Sequence, residues 1–122
     1  MPWAQIVPAV LVAAVLHALA LRIVTALMVE VSVKYTLALK IVAIEYAAVL
    51  SFAGAIAGLH LGNQTVAIVT CSLAYLFVGA AGIGGWINFA NGKPVGVGNG
   101  VLIQAIQIPL IIPVVIVGSF LF

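Results

Sequence analysis

The chain has 122 residues, of which 66% are hydrophobic and 5% charged, and its formal net charge is +2. Soluble domains carry about 25% charged residues, so a mean hydropathy of +1.43 argues against a water-soluble fold of this size and for a chain that belongs in lipid. Four Lys/Arg with no cluster on a wet face leave no nucleic-acid footprint, and a single cysteine excludes an intrachain disulfide or a multi-cysteine metal motif.

Trp3 suits the membrane interface. The first predicted span is 6–29, about 36 Å long at about 1.5 Å per residue and enough for a hydrocarbon core of about 30 Å. Pro8 falls in its first turn, where a missing N–H costs little. Met1–Leu21 has no Lys or Arg to form a charged leader region, so it is expected to be a retained span rather than a signal peptide. A turn over 30–34 follows, marked by charge and by the length limit alone, since it holds no Gly, Pro or Asn.

The second span, 35–59, is the most informative because it carries Lys40 and Glu45. A polar turn, HLGNQT, leads into the third span, 66–89. Its Asn63-Gln64-Thr65 matches a glycosylation sequon but hugs the membrane so closely that it reads as a turn. A glycine-rich loop is expected over 90–100, and the fourth span over 101–122, with Pro109 and Pro113 bending it. The expected fold is an all-α, four-transmembrane-helix bundle in a single domain, 1–122. Four spans put both termini on one side. Lys34 and Lys93 lie on the other, with Arg22 and Lys40 nearer to it, so the positive-inside rule places loops 30–34 and 90–100 in the cytoplasm and the termini outside.

An ionisable side chain at bilayer depth costs at least about 2.5–3.5 kcal/mol on insertion scales, so it is paired or faces protein. The first hairpin holds four: His17, Arg22, Lys40 and Glu45. Helical side chains lean toward their own N-terminus, which carries Arg22 inward and Glu45 toward the first loop, so the two lean toward each other. An Arg22–Glu45 ion pair is expected, within one chain or across an oligomer contact, with His17 as third member and Lys40 nearby, free to reach the interface. Such a pair can simply glue helices; a functional alternative has Glu45 or His17 carrying protons or coordinating a cation.

On the second span, Ala43, Ala47, Ser51, Gly54 and Gly58 share a band with Lys40, and Gly54–Gly58 is a GxxxG. Small residues let helices approach closely, so this is a candidate helix-packing face. Tyr35, Leu39, Val42, Tyr46, Val49 and Leu50 are left as the lipid face. With two flanks to cover, this helix is expected to be central, in a homo-oligomer or against other membrane subunits.

Eight of the 12 glycines lie between Gly79 and Gly100. The run Pro94-Val95-Gly96-Val97-Gly98 faintly resembles a potassium-channel filter, which would imply carbonyl coordination of an ion, but Pro94 stands where such filters carry a threonine. An ordinary flexible loop is the plainer reading. Gln104 and Gln107 share a face of the last span and form a candidate polar path; bending to fit neighbours is the alternative.

His17 and His60 differ in depth by about 20 Å by helical rise, so one haem cannot bridge them within the chain, although His17 alone could ligate a pigment. With no Asp, the inventory for hydrolytic catalysis is thin. No enzyme activity, cofactor or metal is expected, and the expected partner beyond other membrane protein is the lipid bilayer. Three functions follow in order: a structural or accessory subunit of an oligomeric membrane assembly, a small homo-oligomeric ion channel or transporter, and a pigment- or redox-cofactor-binding subunit.

Overall fold

A computed structural model describes residues 3–120, with side chains described at 4, 5 and 7–109. The expected interfacial role of Trp3 and everything expected of the side chains of 110–122 lie outside those residues. Four α-helices follow in order: α1 (Trp3–Val29), α2 (Tyr35–Gly58), α3 (Gln64–Trp86) and α4 (Val97–Phe120). The stretches Val7–Val29, Tyr35–Gly58 and Gln64–Trp86 are long and apolar enough to cross a membrane. There is no strand among the described residues beyond one antiparallel bridge, Asn88 to Pro94.

The helices close into a ring. α1 touches α2 and α4, and α3 touches the same two. The short connections make neighbours antiparallel, so two ends can be distinguished. The loop end carries 30–34 and 87–96; the turn end carries 59–63.

Each boundary has a local cause. The turn after α1 lacks glycine, so Glu30 itself takes the left-handed conformation, at φ 58°, which costs a non-glycine residue roughly 1–2 kcal/mol. At the end of α2, His60 does the same at φ 52°, and the Leu61 N–H reaches back to Ile56 O at 3.1 Å, the six-to-one bond of a helix C-cap. Asn63 then caps α3, its Oδ1 accepting from Val66 N–H at 3.0 Å. The sequon is therefore the start of a helix.

The glycine-rich segment is shorter and more ordered than expected. Phe89 N–H donates to Lys93 O at 2.8 Å, and Val95 N–H to Ile87 O at 2.9 Å. Gly92 and Gly96 supply the positive φ the tight hairpin needs, and Ile87 and Val95 are buried. α4 begins at Val97, before the expected 101, because Gly96 turns the chain and the Gly100 N–H donates to Gly96 O at 3.0 Å. Val97 and Gly98 are helical, which removes the likeness to a channel filter.

Glycine also brings α3 and α4 together. A Cβ on Gly84 would come within 2.7 Å of the Gly96 carbonyl oxygen, and one on Gly100 would strike the Ala80 carbonyl. Without side chains at these points the two backbones meet directly, the close approach that drives helix association in lipid.

Of the two flanks of α2 expected to avoid lipid, the one that carries Glu45 packs within the chain. Ala38, Ile41, Val42, Glu45 and Ile56 are buried. Ala43, Ala47, Ser51, Gly54 and Gly58 are exposed, and a Cβ on Gly54 or Gly58 would meet nothing within 4 Å. Val42 and Tyr46, expected to face lipid, turn into the bundle. Their stripe is the one that carries Glu45, and burying that carboxyl group against protein outweighs the close packing that the small residues would allow within the chain.

Candidate polar site in the bundle centre

All four helices deliver polar side chains to one level. α1 brings His17, α2 brings Glu45 and Tyr46, α3 brings Tyr75, and α4 brings Gln104 and Gln107. His17, Tyr75 and Glu45 are 6%, 7% and 1% exposed, and both glutamines are fully buried.

Two anchored amides order the cluster. Gln104 Nε2 donates to the Tyr75 backbone oxygen and to Glu45 Oε1, both at 3.0 Å. A backbone oxygen only accepts, so the amide nitrogen is fixed on that side. Gln107 Nε2 donates to Ile103 O at 3.1 Å, which turns its Oε1 toward His17.

His17 Nε2 lies 3.0 Å from Gln107 Oε1 and 2.9 Å from the Tyr75 hydroxyl. Because an amide oxygen can only accept, Nε2 carries a hydrogen. In the neutral ring, Nδ1 then accepts from the Tyr46 hydroxyl at 3.4 Å. Both ring nitrogens thus face polar partners inside the bundle.

These bonds cross both diagonals of the ring, His17 to Tyr75 and Gln104 to Glu45. Gly79 makes room for the second crossing: a Cβ there would overlap the Gln104 amide and crowd Glu45 Oε1.

The network is incomplete. Glu45 Oε2 and Gln104 Oε1 are buried with no hydrogen-bond partner among the described residues. The nearest basic atom to Glu45 Oε2 is His17 Nε2 at 3.9 Å, too long for a hydrogen bond. Most buried polar atoms are satisfied, so an exception calls for a specific explanation.

The expected Arg22–Glu45 ion pair does not form within the chain. Arg22 Nε donates to Val33 O at 2.8 Å, and the guanidinium lies 5.6 Å from the Tyr35 ring centroid. The non-helical connection at 30–34 leaves Val33 O without a helical donor, and this nearer acceptor captures the arginine. Of the two expected neighbours, His17 meets Glu45 and Lys40 does not: its Nζ sits 4.6 Å over the Trp86 ring, beside an apolar groove between α2 and α3 lined by Ile41, Ile44, Val78, Ala81, Gly82 and Trp86. Gln104 and Gln107 do turn inward, into the same cluster as Glu45 rather than along a separate path.

Three participants lie outside the expected site: Tyr46, expected to face lipid, Tyr75 and Gly79. A tyrosine mid-span is out of place, since membrane tyrosines concentrate at the interfaces, so Tyr75 did leave a signal. Gly79 left none, because its importance lies in what another helix places against it.

No protein-family model, curated protein or solved structure matches this chain.

Proposed function

We propose that this chain is a four-span integral membrane protein that binds and hands on a proton at the centre of its bundle, as a small channel or transporter does. The observation that carries this reading is Glu45 Oε2, buried among four helices with no hydrogen-bond partner among the described residues and 3.9 Å from His17 Nε2. An ionisable residue facing the interior of a membrane bundle marks an ion path or proton relay by default. A carboxylate left there with one hydrogen bond would be an uncompensated charge in a low-dielectric core, which is costly. One proton resolves this in either of two ways: on Glu45, with His17 neutral, or on His17 Nδ1, giving an ion pair. Because Nε2 already carries a hydrogen, the hand-over runs through the ring: a proton taken up at Nδ1 from the Tyr46 side frees the Nε2 proton for Glu45 Oε2.

The same inventory disfavours a hard metal cation as cargo. Among the described residues two buried side-chain oxygens lack a hydrogen bond, Glu45 Oε2 and Gln104 Oε1, whereas Ca²⁺ takes about 6–8 oxygens and Mg²⁺ a full octahedron.

α4, at 24 residues, is read as the fourth span, which puts both termini at the turn end. Lys34 and Lys93 lie at the loop end, so that end is assigned to the cytoplasm and the termini to the outside.

The test is reconstitution into liposomes with a trapped pH indicator and an imposed potential. The wild type is expected to admit protons and Glu45→Gln to abolish the flux. Gln at this position still offers an oxygen to Gln104 but cannot hold a proton. Equal flux in the two sinks the proposal.

The structural or accessory subunit remains a second reading, supported by the outward band of Ala43, Ala47, Ser51, Gly54 and Gly58 on α2. A second copy or another membrane subunit could pack there. Native mass in nanodiscs decides it: an assembly that Gly54→Leu dissociates supports this reading, and a monomer in both refutes it.

A further inference from the structure

We infer that the pocket around Arg22, where α1 meets the connection to α2, seats the phosphate of a phospholipid with a net negative headgroup, and that the outer face of α1 below it carries an acyl chain. The inference goes beyond the proton-binding reading and does not depend on it: it concerns what the chain holds from the bilayer itself.

Charge sets the need. The chain has two acidic residues, Glu30 and Glu45, against four basic ones, Arg22, Lys34, Lys40 and Lys93. Glu45 is turned into the bundle centre, where Gln104 holds it. Among the described residues the one pair of opposite charges in contact is His17 and Glu45, at 3.9 Å, so Arg22 has no carboxylate against it. A cation within a span must find a partner or reach the headgroups. Arg22 Nε lies 2.8 Å from Val33 O, one residue before Lys34, the N-cap of α2. The guanidinium is therefore level with the start of α2, where that span enters the membrane and where lipid phosphates lie.

Geometry supplies the seat. The one hydrogen bond of Arg22 among the described residues is Nε–H to Val33 O. The guanidinium carbon lies 5.6 Å from the Tyr35 ring centroid, and Tyr35 is itself tied through its hydroxyl to Val15 O at 3.0 Å. The group is thus oriented before any ligand arrives, which lowers the ordering cost of binding. Its two Nη groups keep the planar fork that meets phosphate oxygens two at a time. Arg22 lines a pocket of about 270 Å³ with Leu19, Ile23, Ala26, Ser32 and Val33, and the exposed Ser32 adds a hydroxyl. That space is smaller than the roughly 300–1,000 Å³ that encloses a drug-sized solute, so it suits a headgroup whose remainder lies outside. The track for the remainder is present. Val12, Leu16, Leu19 and Ile23 share one face of α1 at helical spacing and are 58%, 60%, 44% and 52% exposed. They extend roughly 16 Å from the pocket toward mid-membrane, the path an acyl chain takes. A free anion would use the fork and leave this strip idle.

The test is native mass spectrometry of the wild-type chain in detergent, titrated with phosphatidylglycerol, with phosphatidylcholine, and with sodium phosphate as a third probe. Phosphatidylglycerol is expected to bind about tenfold more tightly than phosphatidylcholine, the worth of one charge-assisted hydrogen bond. Arg22→Gln should erase that preference. Ser32→Ala, which leaves the Arg22–Val33 bond in place, should weaken phosphatidylglycerol binding about three- to tenfold. Lys40→Gln should change nothing, since that ammonium sits over the Trp86 ring on another flank. Equal binding of the two lipids by the wild type overturns the inference without any substitution. Ser32→Ala binding like the wild type overturns it too, so the decision does not hang on whether Arg22→Gln folds. Loss of the preference in Lys40→Gln would move the anion to the groove between α2 and α3, and displacement of phosphatidylglycerol by sodium phosphate would show a free-anion site; either result overturns the assignment.

Discussion

Replacing Gly79 by alanine tests the construction of the site most directly. The new methyl would overlap the Gln104 side-chain amide and press on Glu45 Oε1. Gln104 cannot swing aside freely, because its Nε2 is bound to both Glu45 and the Tyr75 backbone. Buried polar bonds in membrane proteins average about 0.6 kcal/mol and reach about 1.7, so losing two costs about 1–3 kcal/mol. Forcing an extra carbon into a packed interior costs about 1–3 kcal/mol more. Alanine's better helix propensity returns up to about 1 kcal/mol. The net expectation is a loss of about 1–5 kcal/mol, measured as a shift in reversible unfolding in mixed detergent micelles. A double-mutant cycle with Gln104→Ala isolates the cause. Once the struck amide is gone, the alanine at 79 should cost little, giving a coupling close to the whole single-variant loss. Additivity to within about 0.5 kcal/mol, the behaviour of independent sites, would refute this account.

Gly100→Ala should destabilise by about 1–3 kcal/mol, because the Ala80 backbone it strikes cannot repack, whereas Gly98→Ala, with nothing within 4 Å, should be neutral or better in the same unfolding assay. Asn63→Ala removes the cap of α3 and should cost about 1 kcal/mol, seen as faster hydrogen exchange at Val66 with the bundle centre unchanged. Lys40→Gln should alter Trp86 fluorescence in a Trp3→Phe background and cost about 0.5–1 kcal/mol, the range of an exposed cation–π contact; an unchanged spectrum would show that the lysine does not sit over the ring.

The apolar helices and their approximate ends follow from the order of residues alone, because transfer into lipid adds residue by residue and polar turns interrupt it locally. That Glu45 must seek protein was equally legible, since the cost of a buried charge does not depend on who its partner is. The choice of partner was not. Arg22 went to Val33 O because a non-helical connection exposed that acceptor, and Glu45 went to Gln104 because Gly79 opened the diagonal. Apolar residues run all the way round each helix, so nothing local says which flank turns inward. That rotation was set only when four helices met, by the need to gather six polar side chains at one depth, and it turned the small-residue face of α2 outward.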